Sequence, residues 1–151
     1  MIRASLMSAP AAFGKLEKLL DRLAYVPRKT AAIAAPLLTR ELQRQFRAGV
    51  DPYGRAWAPL RPSTLAKGRT PPPLTDSGDL AGGTKAMVRD GNRAGIHIVL
   101  GARYGYFAQS GFRAGRTNVK PRRILPQQGM PAAWAAILKR AARQAFREAA
   151  K

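Results

Sequence analysis

The stretch TKAMVRDGNRAGIHIVLGA, residues 84–102, decides what kind of fold this chain has. Its halves, TKAMVRD and AGIHIVLGA, read as two short strands. Between them Asp90, Gly91, Asn92 and Arg93 form a turn sequence of the kind that joins antiparallel strands. In the second strand Ile96, Ile98 and Leu100 alternate with His97 and Val99, so one face is apolar and the other mixed. A hairpin with one apolar face must be covered, and the flanking sequence supplies helices to do it.

Upstream, Phe13, Leu16, Leu19, Leu20 and Leu23 recur at helical spacing and predict a helix from about Ala11 to Ala24, ended by Pro27. A longer helix is predicted from about Arg28 to Ala48, marked by Ile33, Leu37, Leu38, Leu42 and Phe46, with Gly49 as its C-terminal stop. Pro36 inside it is expected to kink the helix or mark its true start. Downstream, YGYFAQSGF reads as a short helical turn ending at Gly111, and FRAGRTNVKPRRILP as a basic loop leading to a short strand near Arg123 to Leu125. A last helix spans about residues 131–149, with Pro131 in its first turn and a buried stripe of Trp134, Ile137, Leu138, Ala141, Ala145 and Phe146.

Between the second helix and the hairpin runs DPYGRAWAPLRPSTLAKGRTPPPLTDSGDL, residues 51–80, too rich in proline and glycine for a helix or an inner strand. Near its end Thr75, Asp76 or Ser77 is placed to cap a short helical turn. A connection of this length in a compact domain is expected to be functional, an arm that Trp57 and Leu60 pin to a core, of its own subunit or of a neighbouring one, and that gains order on assembly. The expected fold is one α+β domain with helices packed on a small, mostly antiparallel sheet. Its parts are N-terminal helices (11–48), the arm (50–80), a small sheet with a basic loop (83–125) and a C-terminal helix (131–149).

The chain carries 27 Lys and Arg against 8 Asp and Glu in 151 residues, a formal charge of +19. Self-repulsion of that size works against compaction and points to an anionic partner, nucleic acid first and an acidic protein surface second. With no cysteine, disulfide scaffolds, thiolate metal sites and cysteine nucleophiles are excluded. The single histidine, His97, lies in a strand, and the acidic residues lack paired spacing. Phosphate-binding and dinucleotide fingerprints and a nucleophile elbow are absent, so the sequence reads as non-enzymatic, with no cofactor and no metal. Arg3, Ser5 and Ser8 give the start a transit-peptide flavour that Glu17 and Asp21 argue against, and no run approaches the ~20 apolar residues of a membrane span.

The cations gather in two places. In the last helix Lys139, Arg143 and Arg147 lie four apart with Arg140 and Lys151 beside them, either a face for an anion or a solvated face relieved by Glu148. In the preceding loop stand Arg113, Arg116, Lys120, Arg122 and Arg123. Tyr104, Tyr106, Phe107 and Phe112 adjoin that loop, as base-stacking platforms or, the reading favoured here, as core or interface anchors. Composition and spacing thus yield a basic interaction domain. A non-sequence-specific nucleic-acid-binding protein, ribosomal or nucleoid-like, is one reading of it.

A second reading comes from the order of short segments. Gly54, Trp57, Pro59, Leu60 and Thr64 form one, and Leu74, Ser77, Gly78 and Leu80 the next. Tyr106, Gln109 and Gly111 follow after the hairpin, and Pro121, Arg123, Ile124 and Leu125 close the set. This order resembles the phage virion morphogenesis, or tail completion, family of Mu-like and related tailed phages, over about Phe46 to Pro126. Ala108 stands where that family has a histidine, and Pro126 where a glycine is usual. The resemblance implies a structural protein of the neck or tail terminus without enzymatic activity. It implies assembly as a ring, six copies being one stoichiometry, between head-connector and tail-tube or terminator proteins, with genome DNA passing through the channel. Neck adaptor and tail terminator are both left open. The place implied is the virion, and the host cytoplasm during assembly.

Overall fold

The computed structural model describes the backbone of residues 9–89 and 94–151. The expected hairpin turn at Asp90 to Arg93 and the N-terminal residues Arg3, Ser5 and Ser8 lie outside the described residues. The chain runs α1 (Ala9–Ala24), α2 (Val26–Ala48), α3 (Pro62–Leu65), α4 (Asp79–Gly83), β1 (Lys85–Val88), β2 (Ile96–Val99), α5 (Gly105–Ser110), β3 (Phe112–Ala114), β4 (Thr117–Val119) and α6 (Ala132–Ala149). The α+β class expected from the sequence is the one observed.

Helix α2 is the spine. Its residues Ala31, Ala34, Ala35, Leu38, Leu42 and Phe46 are buried along one stripe, the pattern of a helix covered on one face. Gly49 ends it in a left-handed conformation at φ 65°, and its N–H returns to the Phe46 carbonyl. Pro36 neither starts nor breaks α2, which runs through it with the ring exposed to solvent. Small Ala31, Ala34 and Ala35 on one helix and Ala141 and Ala145 on the other give α2 and α6 buried surfaces without bulk. The two lie antiparallel, with Lys29 near the start of α2 paired to Glu148 near the end of α6 at 2.6 Å. The cation, with help from Gln144, holds the Glu148 carboxyl below the usual range.

Strands β1 and β2 pair antiparallel with Lys85 opposite Val99 and Val88 opposite Ile96. Ile96 and Ile98 face inward while His97 and Val99 are exposed, as the alternation predicts. Thr39 of α2 docks β1, its Oγ1 donating to Ala35 O (3.0 Å) and accepting from Ala86 N (3.0 Å). Among the described residues the core cluster includes Leu38, Leu42, Phe46, Trp57, Leu80, Ile124 and Trp134.

Several expectations are corrected. No strand forms at Arg123 to Leu125; instead β3 and β4 make a second hairpin, with Phe112 opposite Val119. Its two-residue loop, Gly115–Arg116, places glycine first with φ +60°, which matches the type II′ preference for joining strands. Pro131 is the N-cap of α6 rather than a first-turn residue, and Phe146 is 55% exposed instead of buried. The short helix α4 is capped by Gly78 in a left-handed conformation, not by Thr75, Asp76 or Ser77. Within the arm, α3 begins at Pro62, whose missing N–H costs nothing at a helix start.

Among the described residues two buried side chains carry polar atoms without a partner, Gln45 and the Nε1 of Trp134. The Gln45 side chain is 1% exposed, and neither its amide nitrogen nor its oxygen makes a hydrogen bond. The Glu41 carboxylate, one turn back, feels the amide but lies outside hydrogen-bonding geometry. Gln45→Met, which keeps the volume and removes the desolvated amide, is expected to raise unfolding stability by ~1 kcal/mol. Denaturant unfolding followed by circular dichroism reads this directly, and a loss of stability would show that the amide has a partner in solution.

Candidate interaction surfaces

The segments singled out in the sequence meet in space through their backbones. After α2, Asp51 Oδ1 accepts from Tyr53 N (2.8 Å) and Arg55 N (2.9 Å), turning the chain at Gly54, which has φ +83°. Val50 and Ala56 form an antiparallel bridge, and Trp57 N reaches back to Gly49 O at 2.8 Å. The Trp57 ring is thereby carried into its own chain's core, where it meets Phe46 edge to face with centroids 5.6 Å apart. Its Nε1 donates to Arg123 O at 2.9 Å. Of the two receivers the sequence left open for Trp57, its own chain or a neighbour, the structure shows the first.

Gln109 does the equivalent for the closing segment. Its Oε1 accepts from Ile124 N (2.7 Å) and Leu125 N (2.8 Å), and its Nε2 donates to Leu125 O (2.9 Å). The side-chain amide therefore stands in for a neighbouring strand, and Arg122 N adds a bond to Ala108 O. This explains why the segment is extended without belonging to a sheet. Ahead of it, Gly111 turns the chain at φ +74°, and a Cβ there would lie 2.8 Å from Val119 O and 3.1 Å from Pro121 N. Only glycine permits that approach.

Arg122 is drawn inward. Its Nε and Nη2 donate to the carbonyls of Ala58 (2.9 Å) and Pro59 (3.1 Å), clamping arm to closing segment. Burial, with the Arg61 charge nearby, pulls its pKa down. Arg122 thus belongs to the scaffold, whereas the sequence grouped it with the free cations. Arg123 is half-buried and contributes its carbonyl to Trp57.

The remaining segment positions line the outside of this scaffold. Leu60, Thr64, Leu74 and Ser77 edge a groove of about 440 Å³ that Tyr104 and Arg122 also line. Leu74 carries φ 70°, an uncommon backbone for a leucine, while Leu80 is fully buried. A second groove of about 390 Å³ shares Leu74, Tyr104 and Arg122 and continues over Phe107, Phe112 and Lys120. Tyr106, Phe107 and Phe112 form an edge-to-face ladder with centroid spacings of 5.9 Å. These rings are exposed, Tyr106 by 69% and Phe107 by 51%. They are not core, and Pro121, Arg113, Arg116 and Lys120 stand exposed near them in sequence.

Comparison of the chain with protein-family models, with curated proteins and with solved structures gives no match. The surfaces must therefore be read from their own chemistry.

On α6, Lys139, Arg140, Arg143 and Arg147 are all exposed and lie opposite the buried Trp134, Ala141 and Ala145. Sequence reading missed the cations that α2 adds beside them. Arg40, Arg44 and Arg47 project from α2 into the groove that Arg140 lines from α6. Their three- and four-residue spacing was legible, but Glu41, Leu42 and Phe46 between them disguised the stripe. His97 is exposed, and among the described residues no metal-ligating cluster occurs. Among the described residues no helix is long and apolar enough to cross a membrane.

Proposed function

We propose that this chain is a structural virion protein of the phage neck or tail terminus, assembling with copies of itself into a ring that completes the tail or joins it to the head connector. One observation carries the reading. Four short segments spread from Gly54 to Leu125, the ones that resemble the tail completion family, are packed or hydrogen-bonded into one scaffold through Trp57, Leu80, Gln109 and Arg122. Its outer side presents an exposed aromatic ladder, a surface suited to anchoring neighbouring proteins. The proposed neighbours are head-connector and tail-tube or terminator proteins, with no chemical step performed. Deleting the reading frame from the phage is expected to yield separate heads and tails; normal infectious particles would overturn the proposal.

The exposed cations of α6 support a second reading, non-sequence-specific binding of nucleic acid, which in a neck would be the genome in transit. Arg143→Glu with Arg147→Glu separates the roles. If the face meets an anion, assembly or duplex binding falls by roughly 100-fold, each lost contact being worth about tenfold. If the face is merely solvated, both are unchanged, as measured by sedimentation and by duplex titration over a range of salt.

A further inference from the structure

The outer side of the α2–α6 pair holds a groove of about 430 Å³ with arginines at its rim and apolar side chains between them. Leu37 and Ile137 are half-buried in it, and Arg40, Arg44, Arg47 and Arg140 surround them. Arg44 is engaged by Glu41, whose two carboxylate oxygens accept from Nε (2.8 Å) and Nη2 (2.6 Å). That bond holds the Glu41 carboxyl below its usual range. Among the described residues, Arg40, Arg47 and Arg140 have no carboxylate within ion-pairing distance. The α2 positions recur three and four apart over ~15 Å of helix, so the groove suits a helical occupant lying along it. A phosphodiester backbone would meet the arginines but leave Leu37 and Ile137 uncovered. A helix bearing carboxylates beside leucines covers both.

The chain itself carries such a helix. In α1, Leu16, Leu20, Glu17 and Asp21 fall within one sector of about 140°, with Lys18 and Arg22 on the other side. Leu16 is 49% and Leu20 57% exposed, and Glu17 and Asp21 are exposed without an ion pair among the described residues. Within its own chain this helix touches α6 and α2, but none of its described residues lines the groove. Tyr25 keeps right-handed helical dihedrals (φ −82°, ψ −14°), so α1 is carried off the N-terminal end of α2. The groove begins at Leu37, about 18 Å further along α2 at the helical rise. Donor and acceptor are thus different surfaces of the chain, and a contact between them across two copies is head to tail, the kind that closes into a ring or extends as a filament.

We propose that α1 of one copy lies in the α2–α6 groove of the next, with Glu17 and Asp21 among Arg40, Arg47 and Arg140, and Leu16 and Leu20 against Leu37 and Ile137. The inference rests on the self-assembly in the function proposed above and names its surface. Because the chain has no cysteine, Leu20→Cys in one preparation and Ile137→Cys in another introduce single thiols. Mixed and treated with a bismaleimide, the full-length variants are expected to give a cross-linked dimer at least ~tenfold above either alone. Adding Glu17→Lys and Asp21→Lys to the first, or Arg40→Glu and Arg140→Glu to the second, abolishes it, and combining both reversals restores it. Ala136→Cys, at an exposed neighbouring position, replaces Ile137→Cys if the latter unfolds.

Absence of the cross-link while light scattering shows association overturns this docking and leaves the proposed function standing. Absence of both at every concentration overturns the two together. Loss of the cross-link on adding a short DNA duplex, with duplex binding that disappears in Arg40→Glu/Arg140→Glu, assigns the groove to phosphate and also overturns the docking.

Discussion

Trp57→Ala is expected to bring the isolated chain close to unfolding. Emptying the space of a buried tryptophan costs ~3–5 kcal/mol, and the Arg123 carbonyl that Nε1 serves is left without its donor, a further ~1–3 kcal/mol where water cannot replace it. Domains of this size have only about 5–15 kcal/mol to lose. The ring also holds the arm against Phe46, so the effect should spread along residues 51–60 rather than stay local. Trp57→Phe keeps an aromatic contact and removes the N–H, and should cost about 1–3 kcal/mol. Urea unfolding followed by circular dichroism measures both. Equal, small losses for the two variants would mean that Trp57 is not seated in its own chain.

Gln109→Ala is the second large effect. It removes three hydrogen bonds and leaves the backbone N–H groups of Ile124 and Leu125 without acceptors, beside an Ile124 side chain that is 1% exposed. The expected cost is about 3 kcal/mol, which for a domain of this length lowers Tm by roughly 6–12 °C. Gln109→Glu retains acceptors for both N–H groups but sets a carboxylate oxygen against the Leu125 carbonyl, so only part of the stability should return. Hydrogen exchange at Ile124 and Leu125 distinguishes a local from a global effect. If Gln109→Ala accelerates exchange at those two amides alone, the closing segment can detach while the rest stays folded.

What could be read from the sequence was what is encoded locally. Alternation in IHIV, the left-handed stop at Gly49 and the turn of helix before Gly111 depend on neighbours within a few residues, and all three stand in the structure. The β3–β4 hairpin escaped because its strands are three residues long and largely exposed, leaving no alternation to see, although Gly115 signalled the turn. Phe146 was misread because helical spacing marks an apolar stripe without showing how far a partner helix covers it.

The site was legible as a set of residues but not as an arrangement. Nothing local says that the Trp57 N–H meets a carbonyl 66 residues away, or that Gln109 replaces a strand. Arg122 looked like one more cation in a basic run until its donors were found on Ala58 and Pro59. The groove between α2 and α6 likewise exists only once two helices distant in sequence are packed together.

The central claim, that this is a ring-forming structural component of a virion, is tested most directly by imaging purified particles in which the protein carries a label. A ring of label at the head–tail junction or tail terminus, in several copies per particle, is the predicted result. Purified virions that lack the protein, or that carry it away from that junction, would contradict it.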